Sequence, residues 1–371
     1  MNNHKIRKLL LVTPRYFPYM GGIETHVHEV GKRFAEQGIA TTVLTTDPSQ
    51  KLPVTERVGE VEIVRVPAYP ANRDYYFAPR VYDTIMQGDW DVIHCQGFHT
   101  FVPPIAMLAA KRKSIPYVLS FHSGGHSSGW RNSIRWLQSN INRPLLAGAR
   151  KLIAVSKFEA QLFQKRLGLS PEKFTVVPNG SQLPKLEFVI APDHTLILSV
   201  GRLEKYKGHH RILEAFPLIL KQIPNAYLRI LGTGPYEDDL KRMAEQLGVA
   251  ERTEIGGIPP SDRDGMAALM SKASLVTLMS EYEAHPLAVM EALSLGRKVL
   301  VADTSGLSEL AENGWVKAIP LKSSPQQIAE AVFEQLISPA PIAKVELPTW
   351  ETCAESLLSV YDAAVEAHAA S

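Results

Sequence analysis

The 371-residue sequence predicts an α/β protein built from two doubly wound parallel-sheet domains. Three observations carry that prediction. The chain is longer than one hydrophobic core usually serves, so two domains of ordinary size are the default. Short apolar runs alternate with longer stretches of helical period from end to end, the pattern of strands joined by crossover helices. That alternation runs twice, on either side of a turn-rich, aperiodic segment, "NGSQLPKLEFVIAPDH" at 179–194, which reads as a linker.

The elements follow in order. "KLLLVTP" opens the first half as a buried strand. It is too short an apolar run for a secretory leader, Pro14 ends it, and no small-residue cleavage site follows. "TTVLTT", "VEIVRVP", "DVIHCQ", "PYVLSFH", "KLIAVS" and "FTVVPNG" continue the series, and "ETHVHEVGKRFAEQG" supplies a helix between the first two strands. In the second half "TLILSVGR", "AYLRILG", "ERTEIGGI", "SLVTLMS" and "KVLVAD" read as strands, with "YEDDLKRMAEQLG" as a crossover helix. The expected division is an N-terminal domain over 1–185, a C-terminal domain over 192–348 and a terminal helix over 349–371. That helix has an apolar face through Trp350, Leu357, Leu358 and Tyr361, expected to pack back towards the N-terminal domain.

Composition narrows the class. Hydrophobic residues make up 45% and charged residues 21%, the values of a globular chain. Two cysteines, Cys95 and Cys353, build no disulfide framework, and a reducing cytoplasm is the simpler setting. No run approaches the ~20 apolar residues that span a bilayer. The net charge of +2 hides an asymmetry: residues 1–190 hold 24 Lys and Arg against 14 Asp and Glu, and residues 191–371 hold 16 against 24. The basic half could attract anionic lipid, nucleic acid or a phosphorylated substrate, and charge alone does not choose among them.

Several motifs sit where strands give way to loops. In "MGGIETHV", Gly21 and Gly22 allow close backbone approach, and the amides opening the next helix can hold an anion; a plain turn has the same sequence. In "VGRLEKYKG", Arg202 and Lys207 could neutralise a diphosphate without a metal, or be two surface cations. "ILGTGPYEDDL" places Gly232 and Gly234 in a tight turn that suits a nucleotide site or a connector equally. His122 in "VLSFHSGGH" ends a strand, where an imidazole can handle protons or simply pack. Asp89 and Asp91 open an inward-running strand, and no converging set of oxygen, Cys or His ligands accompanies them, so no metal is expected. The stretch "WRNSIRWLQSNINRPLLAGARK" spaces Trp130, Ile134, Leu137 and Ile141 helically, with Trp136 and Arg131, Arg135 and Arg143 around them. A membrane-surface helix and a core-facing helix with snorkelling arginines fit about equally.

The segment "SEYEAHPLAVMEALSLG" sets Glu283 and Glu291 with seven residues between them, and Pro286 inside. Proline in a helix interior costs about 3 kcal/mol but little at the first position, so the helix is expected to start near Pro286. Glu283 then lies in the preceding loop and Glu291 on the second turn.

Taken in order, GGIETHV, SFH, VSKFEAQ, VVPNG, VGRLEKYKG, ILGTGP and EYEAHPLAVMEALSLG resemble the retaining GT4-type glycosyltransferases of the GT-B fold, over nearly the whole chain. "VADTSGLSEL" extends the likeness. The resemblance implies two Rossmann-like domains facing a central cleft, with parts of the site supplied by each. It implies transfer of a hexose, glucose first, from a UDP-sugar to a glycan or lipid-linked acceptor in polysaccharide or glycoconjugate synthesis. No metal or other cofactor and no nucleic acid are implied. Glu283 would hold hydroxyls of the donor sugar and Glu291 the ribose. The amides of Leu287 and Ala288 would face the diphosphate, which Arg202 and Lys207 clamp above the loop of Gly21 and Gly22. His122 matches the histidine near the reacting sugar, and front-face attack is the implied mechanism. The basic half, Trp130 and Trp136 point to an acceptor at a membrane surface, and so to a cytoplasmic protein peripheral at the inner membrane face. Two departures stand out: Glu283 is followed by Ala284, His285 and Pro286 where relatives often read Gly-Phe-Gly, with His285 a further donor to the sugar pocket. Ser181 and Gln182 follow Asn179-Gly180 where relatives often carry an acid. A nucleotide-sugar 2-epimerase of the same fold and a non-catalytic sugar-nucleotide-binding relative are the alternatives.

Overall fold

The computed structural model describes residues 4–19, 21–70, 77–98, 100–122, 129–181, 183, 193–259, 262–337 and 346–370, with the side chains of 129–137 and 194 outside that description. The chain divides into two compact units. The described part of the first covers 4–122, 129–180 and 348–370, and that of the second lies within 181–347. The break therefore falls at Gly180, where the sequence reading draws it at 185, and the terminal helix joins the first unit.

The first unit begins β1 (Lys8–Val12), α1 (Gly22–Glu36), β2 (Ala40–Asp47), β3 (Thr55–Val58), β4 (Val61–Pro67) and α2 (Arg80–Gln87). It continues β5 (Val92–Gln96), α3 (Val102–Arg112), β6 (Tyr117–Ser120), α4 (Gly129–Gly148), β7 (Lys151–Ala154), α5 (Lys157–Leu167) and β8 (Phe174–Val176). The sheet order is β3-β4-β2-β1-β5-β6-β7-β8, parallel except where β3 pairs antiparallel with β4. Its inner strands β1, β2, β5 and β6 are buried almost along their whole length. In β1 the four residues Leu9 to Val12 are all fully buried, which is why the sequence there is a continuous apolar run.

The second unit comprises β9 (Asp193–Val200), α6 (His209–Gln222), β10 (Tyr227–Leu231), α7 (Glu237–Gln246), β11 (Thr253–Gly256) and α8 (Arg263–Lys272). β12 (Ala273–Leu278), α9 (Leu287–Ser294), β13 (Lys298–Asp303), α10 (Ser305–Glu312), β14 (Lys317–Pro320) and α11 (Pro325–Ile337) complete it. All six strands are parallel, in the order β11-β10-β9-β12-β13-β14. The pleat sends alternate residues to opposite faces. Ile197, Leu275 and Leu300 enter one core with Phe216 of α6 and Val332 of α11, whereas Leu198, Val276 and Val299 enter the other with Val289 and Met290 of α9.

Two strands are not anticipated in the sequence. β3 is largely exposed and β14 half-exposed, both at sheet edges, so neither needs the apolar run by which a buried strand announces itself. The last helix, α12 (Trp350–Ala369), is capped by Thr349, whose side chain accepts from Thr352 N at 3.1 Å. Trp350, Leu357, Leu358 and Tyr361 are at most 2% exposed, and Glu351 pairs with Arg33 of α1 at 2.5 Å.

Candidate active site

In an open parallel sheet, ligands bind beyond the carboxyl ends of the strands, where the strand order reverses. The second sheet reverses between β9 and β12. Arg202 and Lys207 follow β9, and Glu283 follows β12, so both flanks of this point carry a charged group.

Gly208 makes their meeting possible. It has φ +73, and a Cβ there would sit 1.9 Å from the Met279 carbonyl oxygen. Only glycine lets the loop after β9 lie this close on the end of β12. Lys207 Nζ thereby donates to Glu283 Oε1 at 2.6 Å, with the two side chains only 15% and 10% exposed. Burial pulls the ammonium's pKa down, but the Glu283 carboxylate and the neighbouring Tyr206 together outweigh it and hold it above the ordinary lysine value. Ser280 Oγ donates to the same Oε1 at 2.8 Å. The Glu283 peptide is held as well: its N–H donates to Ser305 Oγ and its carbonyl accepts from Gly306 N, each at 2.8 Å. Both side-chain bonds fall on Oε1. Among the described residues Oε2 accepts none, which leaves an acceptor for a ligand hydroxyl.

Arg202 stands at the solvent side of the same loop, 64% exposed. Its guanidinium is 2.8 Å from Glu204 and donates to the Tyr206 hydroxyl at 2.7 Å. Gly232 and Gly234 lie in the turn after β10. A Cβ on Gly232 would meet the Gly201 carbonyl oxygen at 1.9 Å, so its immediate use is to let two loop backbones touch.

Helix α9 starts at Leu287 with Pro286 as its N-cap. The first intrahelical donor is Val289 N, to Pro286 O at 3.0 Å, so the amides of Leu287 and Ala288 have no helical acceptor. They face outward with the positive end of the helix dipole, a weak site for negative charge. His285 precedes them. Burial lowers its pKa to about 4, so it acts as a neutral hydrogen-bonding group at ordinary pH. Glu291, on the second turn, accepts from Arg263 at 2.8 Å. Burial pushes the Glu291 carboxyl up, and Arg263 at the start of α8 only partly offsets that.

The remaining expected residues belong to the first unit. Gly21 caps the start of α1 after β1, and Gly22 is its first residue. His122 follows β6 with φ 44, a left-handed backbone that non-glycine residues adopt at a cost of roughly 1–3 kcal/mol. Its Nε2 lies 2.8 Å from Gln96 Oε1, and its ring centroid is 4.6 Å from that of His26. Asp91 accepts from the backbone of Arg7 and Lys8 at 2.6 and 2.9 Å, and Asp89 pairs with Lys8 at 2.8 Å, so both acids tie down β1. Trp130, Arg131, Ile134, Arg135, Trp136 and Leu137 have side chains outside the described set. Ile141, expected on the apolar face of their helix, is 67% exposed, and Arg143 donates to the Leu167 carbonyl at 2.8 Å. Among the described residues no three of His, Cys, Asp and Glu gather as a metal-ligating group, and no helix is long and apolar enough to cross a membrane.

Sequence reasoning missed Ser280, Ser305, Tyr206 and Arg263. The serines follow strand ends and so carry a positional hint. Arg263 lies 28 residues before its partner and carries no local signal.

Comparison with known proteins covers both units. The family model described as Glycosyltransferase Family 4 matches residues 20–183, and that described as Glycosyl transferases group 1 matches residues 185–344. Among curated relatives, D-inositol 3-phosphate glycosyltransferase 1 of Catenulispora acidiphila is 25% identical over 93% of this chain and 91% of its own. GDP-mannose:cellobiosyl-diphosphopolyprenol alpha-mannosyltransferase of Xanthomonas oryzae is 26% identical, over 96% and 93%. Among solved structures, sucrose-phosphate synthase from Thermosynechococcus elongatus superposes with a TM-score of 0.76 at 18% identity, over 98% of this chain and 100% of that one. Anabaena Alr3699/HepE, solved with UDP and glucose, gives 0.73 at 18% identity, over 95% and 98%. With a paired-sheet architecture shared with these structures and family models matching both halves, the chain belongs to the family 4, group 1 glycosyltransferases and is a transferase of the GT-B fold.

Proposed function

We propose that the protein transfers a hexose, glucose first, from a UDP-sugar to a glycan or lipid-linked acceptor with retention of configuration, without a metal cofactor, in polysaccharide or glycoconjugate synthesis. One observation carries the reading: the buried Lys207–Glu283 pair at the strand-order reversal of the second sheet, in the loop leading to α9. A lysine held rigid by a carboxylate is a pre-oriented cation for a departing diphosphate. Arg202 adds a second cation from the same loop, and the Leu287 and Ala288 amides add partial positive charge. Glu283 Oε2 would accept from a hydroxyl of the donor sugar and Glu291 from the ribose. Gly21 and Gly22 would pass beneath the phosphates, and His122 would hydrogen-bond near the reacting carbon.

In the proposed step the acceptor oxygen attacks the anomeric carbon on the face from which the diphosphate departs. The bond from that carbon to the phosphate oxygen breaks as the new glycosidic bond forms. The acceptor's proton passes to the departing phosphate oxygen, and UDP leaves. The cations Arg202 and Lys207 stabilise the charge that develops on the leaving group.

The Anabaena neighbour solved with UDP supports a uridine donor, whereas the Xanthomonas relative is named for GDP-mannose. Thermal stabilisation by UDP, GDP and ADP, with and without EDTA, decides between them. The expected result is a shift selective for UDP that survives chelation. A GDP- or ADP-selective shift overturns the donor, loss of the shift in EDTA overturns metal independence, and no shift with any nucleotide overturns the proposal.

A further inference from the structure

Lys207 has the buried Glu283 carboxylate to hold it, whereas the Arg202 side chain is largely exposed. Its place depends on its contacts with Glu204 and Tyr206 and on the backbone that carries it. That backbone is tied down from behind. His209, the first residue of α6, and Ser199 on β9 are 1% and 2% exposed. His209 Nε2 lies 3.2 Å from the Arg202 carbonyl oxygen, and His209 Nδ1 lies 2.8 Å from Ser199 Oγ. The imidazole thus reaches back seven positions and closes the segment from Arg202 to Gly208 into a loop. The Glu204 N–H meets the same carbonyl at 2.8 Å, so each of its two lone pairs has a donor.

The carbonyl fixes the direction of these bonds. A carbonyl oxygen only accepts, so Nε2 must carry a proton. Burial lowers the His209 pKa to about 4, although the carbonyls of Arg202 and Gly201 favour the charged ring, so the imidazole is neutral at ordinary pH. With its one proton on Nε2, the ring has a lone pair on Nδ1, and the Ser199 hydroxyl donates to it. Among the described residues that hydroxyl has no other partner. The next inward residues of α6, Ile212, Leu213 and Phe216, enter an apolar core. An apolar side chain would serve packing at 209 as well as it does there, but it could not hold the loop.

We propose that His209 positions Arg202 for the diphosphate by donating its Nε2–H to the Arg202 carbonyl, with Ser199 holding the ring in that orientation. His209 does for Arg202 through the backbone what Glu283 does for Lys207 through the side chain. It is a positioning residue, and its importance to binding rests on the diphosphate clamp proposed above. Because it acts through Arg202, its effect should vanish when the guanidinium is absent and when the ligand has no phosphate.

The test is isothermal titration of the full chain with UDP and with uridine. The variants are His209→Leu, His209→Gln, Arg202→Ala, Lys207→Ala and the double variant His209→Leu with Arg202→Ala. A wild type that selects GDP or ADP is titrated with that nucleotide and its nucleoside instead. His209→Leu is expected to weaken UDP binding about tenfold, the scale of one hydrogen bond to a charged group, and to leave uridine binding unchanged. His209→Gln, whose amide brings both a donor and an acceptor, is expected to recover UDP affinity to within about twofold of wild type. In the Arg202→Ala background, His209→Leu is expected to cost nothing further. Unchanged UDP affinity in a folded His209→Leu, an equal loss for uridine and UDP, or a further tenfold loss without Arg202 each overturns the proposal. Wild-type UDP affinity in both Arg202→Ala and Lys207→Ala overturns the clamp and this role with it. Loss in those two with none in His209→Leu keeps the clamp and overturns only the role of His209. If His209→Leu does not fold, His209→Met removes the donor with a more adaptable side chain and is read in the same way.

Discussion

Replacing Lys207 with alanine separates the structural from the catalytic work of the residue most central to the proposed site. The ammonium and the Glu283 carboxylate are 2.6 Å apart, and both side chains are mostly buried. Removing one member of such a pair leaves the other charge uncompensated, at a cost of about 3–5 kcal/mol. The Ser280 hydroxyl, 2.8 Å from Glu283 Oε1, and the Ser305-held peptide soften that loss, so the low end, about 3 kcal/mol, is expected. At about 2–4 °C per kcal/mol for a unit of this size, the melting temperature should fall by roughly 10 °C. Adding Glu283→Gln removes the orphaned charge and should recover most of that stability. It should not restore turnover, because the buried, pre-oriented cation is then missing and Arg202 alone faces the diphosphate. Differential scanning calorimetry and UDP release from UDP-glucose are measured on the wild type, both single variants and the double variant. A folded Lys207→Ala protein with wild-type turnover would falsify the clamp. A single variant as stable as wild type would refute the buried-pair reasoning instead.

Other expectations follow from the same geometry. Glu291→Gln should weaken UDP binding about tenfold, a loss of the size of one charge-assisted hydrogen bond, while kcat changes little. Isothermal titration showing unchanged affinity would remove Glu291 from the nucleotide site. Stability should decline in acid, because burial lowers His209 and His285 from 6.5 to about 4. The unfolded chain binds these protons first, so the contribution is complete above pH 6.5 and is lost as pH falls towards 4, about 2 kcal/mol per histidine by pH 5. A His209→Gln variant should show a shallower acid decline in denaturant midpoints between pH 7 and 5, and an equal decline would contradict the assignment. If the basic half meets a membrane, liposomes with anionic lipid should retain the protein at low salt and release it at high salt. Salt-independent or absent retention would dismiss that surface.

The candidate site was only partly readable from local patterns. Pro286 marked the start of α9, because proline's missing donor is harmless there and harmful further in. The flanking positions of Glu283 and Glu291 followed from that one boundary. Gly208 was different. Its sequence neighbours suggest a plain turn, and its reason for being glycine is a carbonyl 71 residues later, at Met279.

The sequence by itself determined the two parallel sheets, since strands buried on both faces must be continuously apolar and the crossover helices between them must be amphipathic. It also determined where strands end, and therefore where polar residues can gather. Only the tertiary structure decided which of those residues meet. Lys207 finds Glu283 across 76 positions, Arg263 finds Glu291 across 28, and Tyr361 finds His94 across 267. Edge strands β3 and β14 were likewise decided by their neighbours. The physical reason is common to all of them. Periodicity records which face of an element leaves water, whereas a single hydrogen bond or ion pair depends on one distance between elements and leaves no repeating mark in the chain.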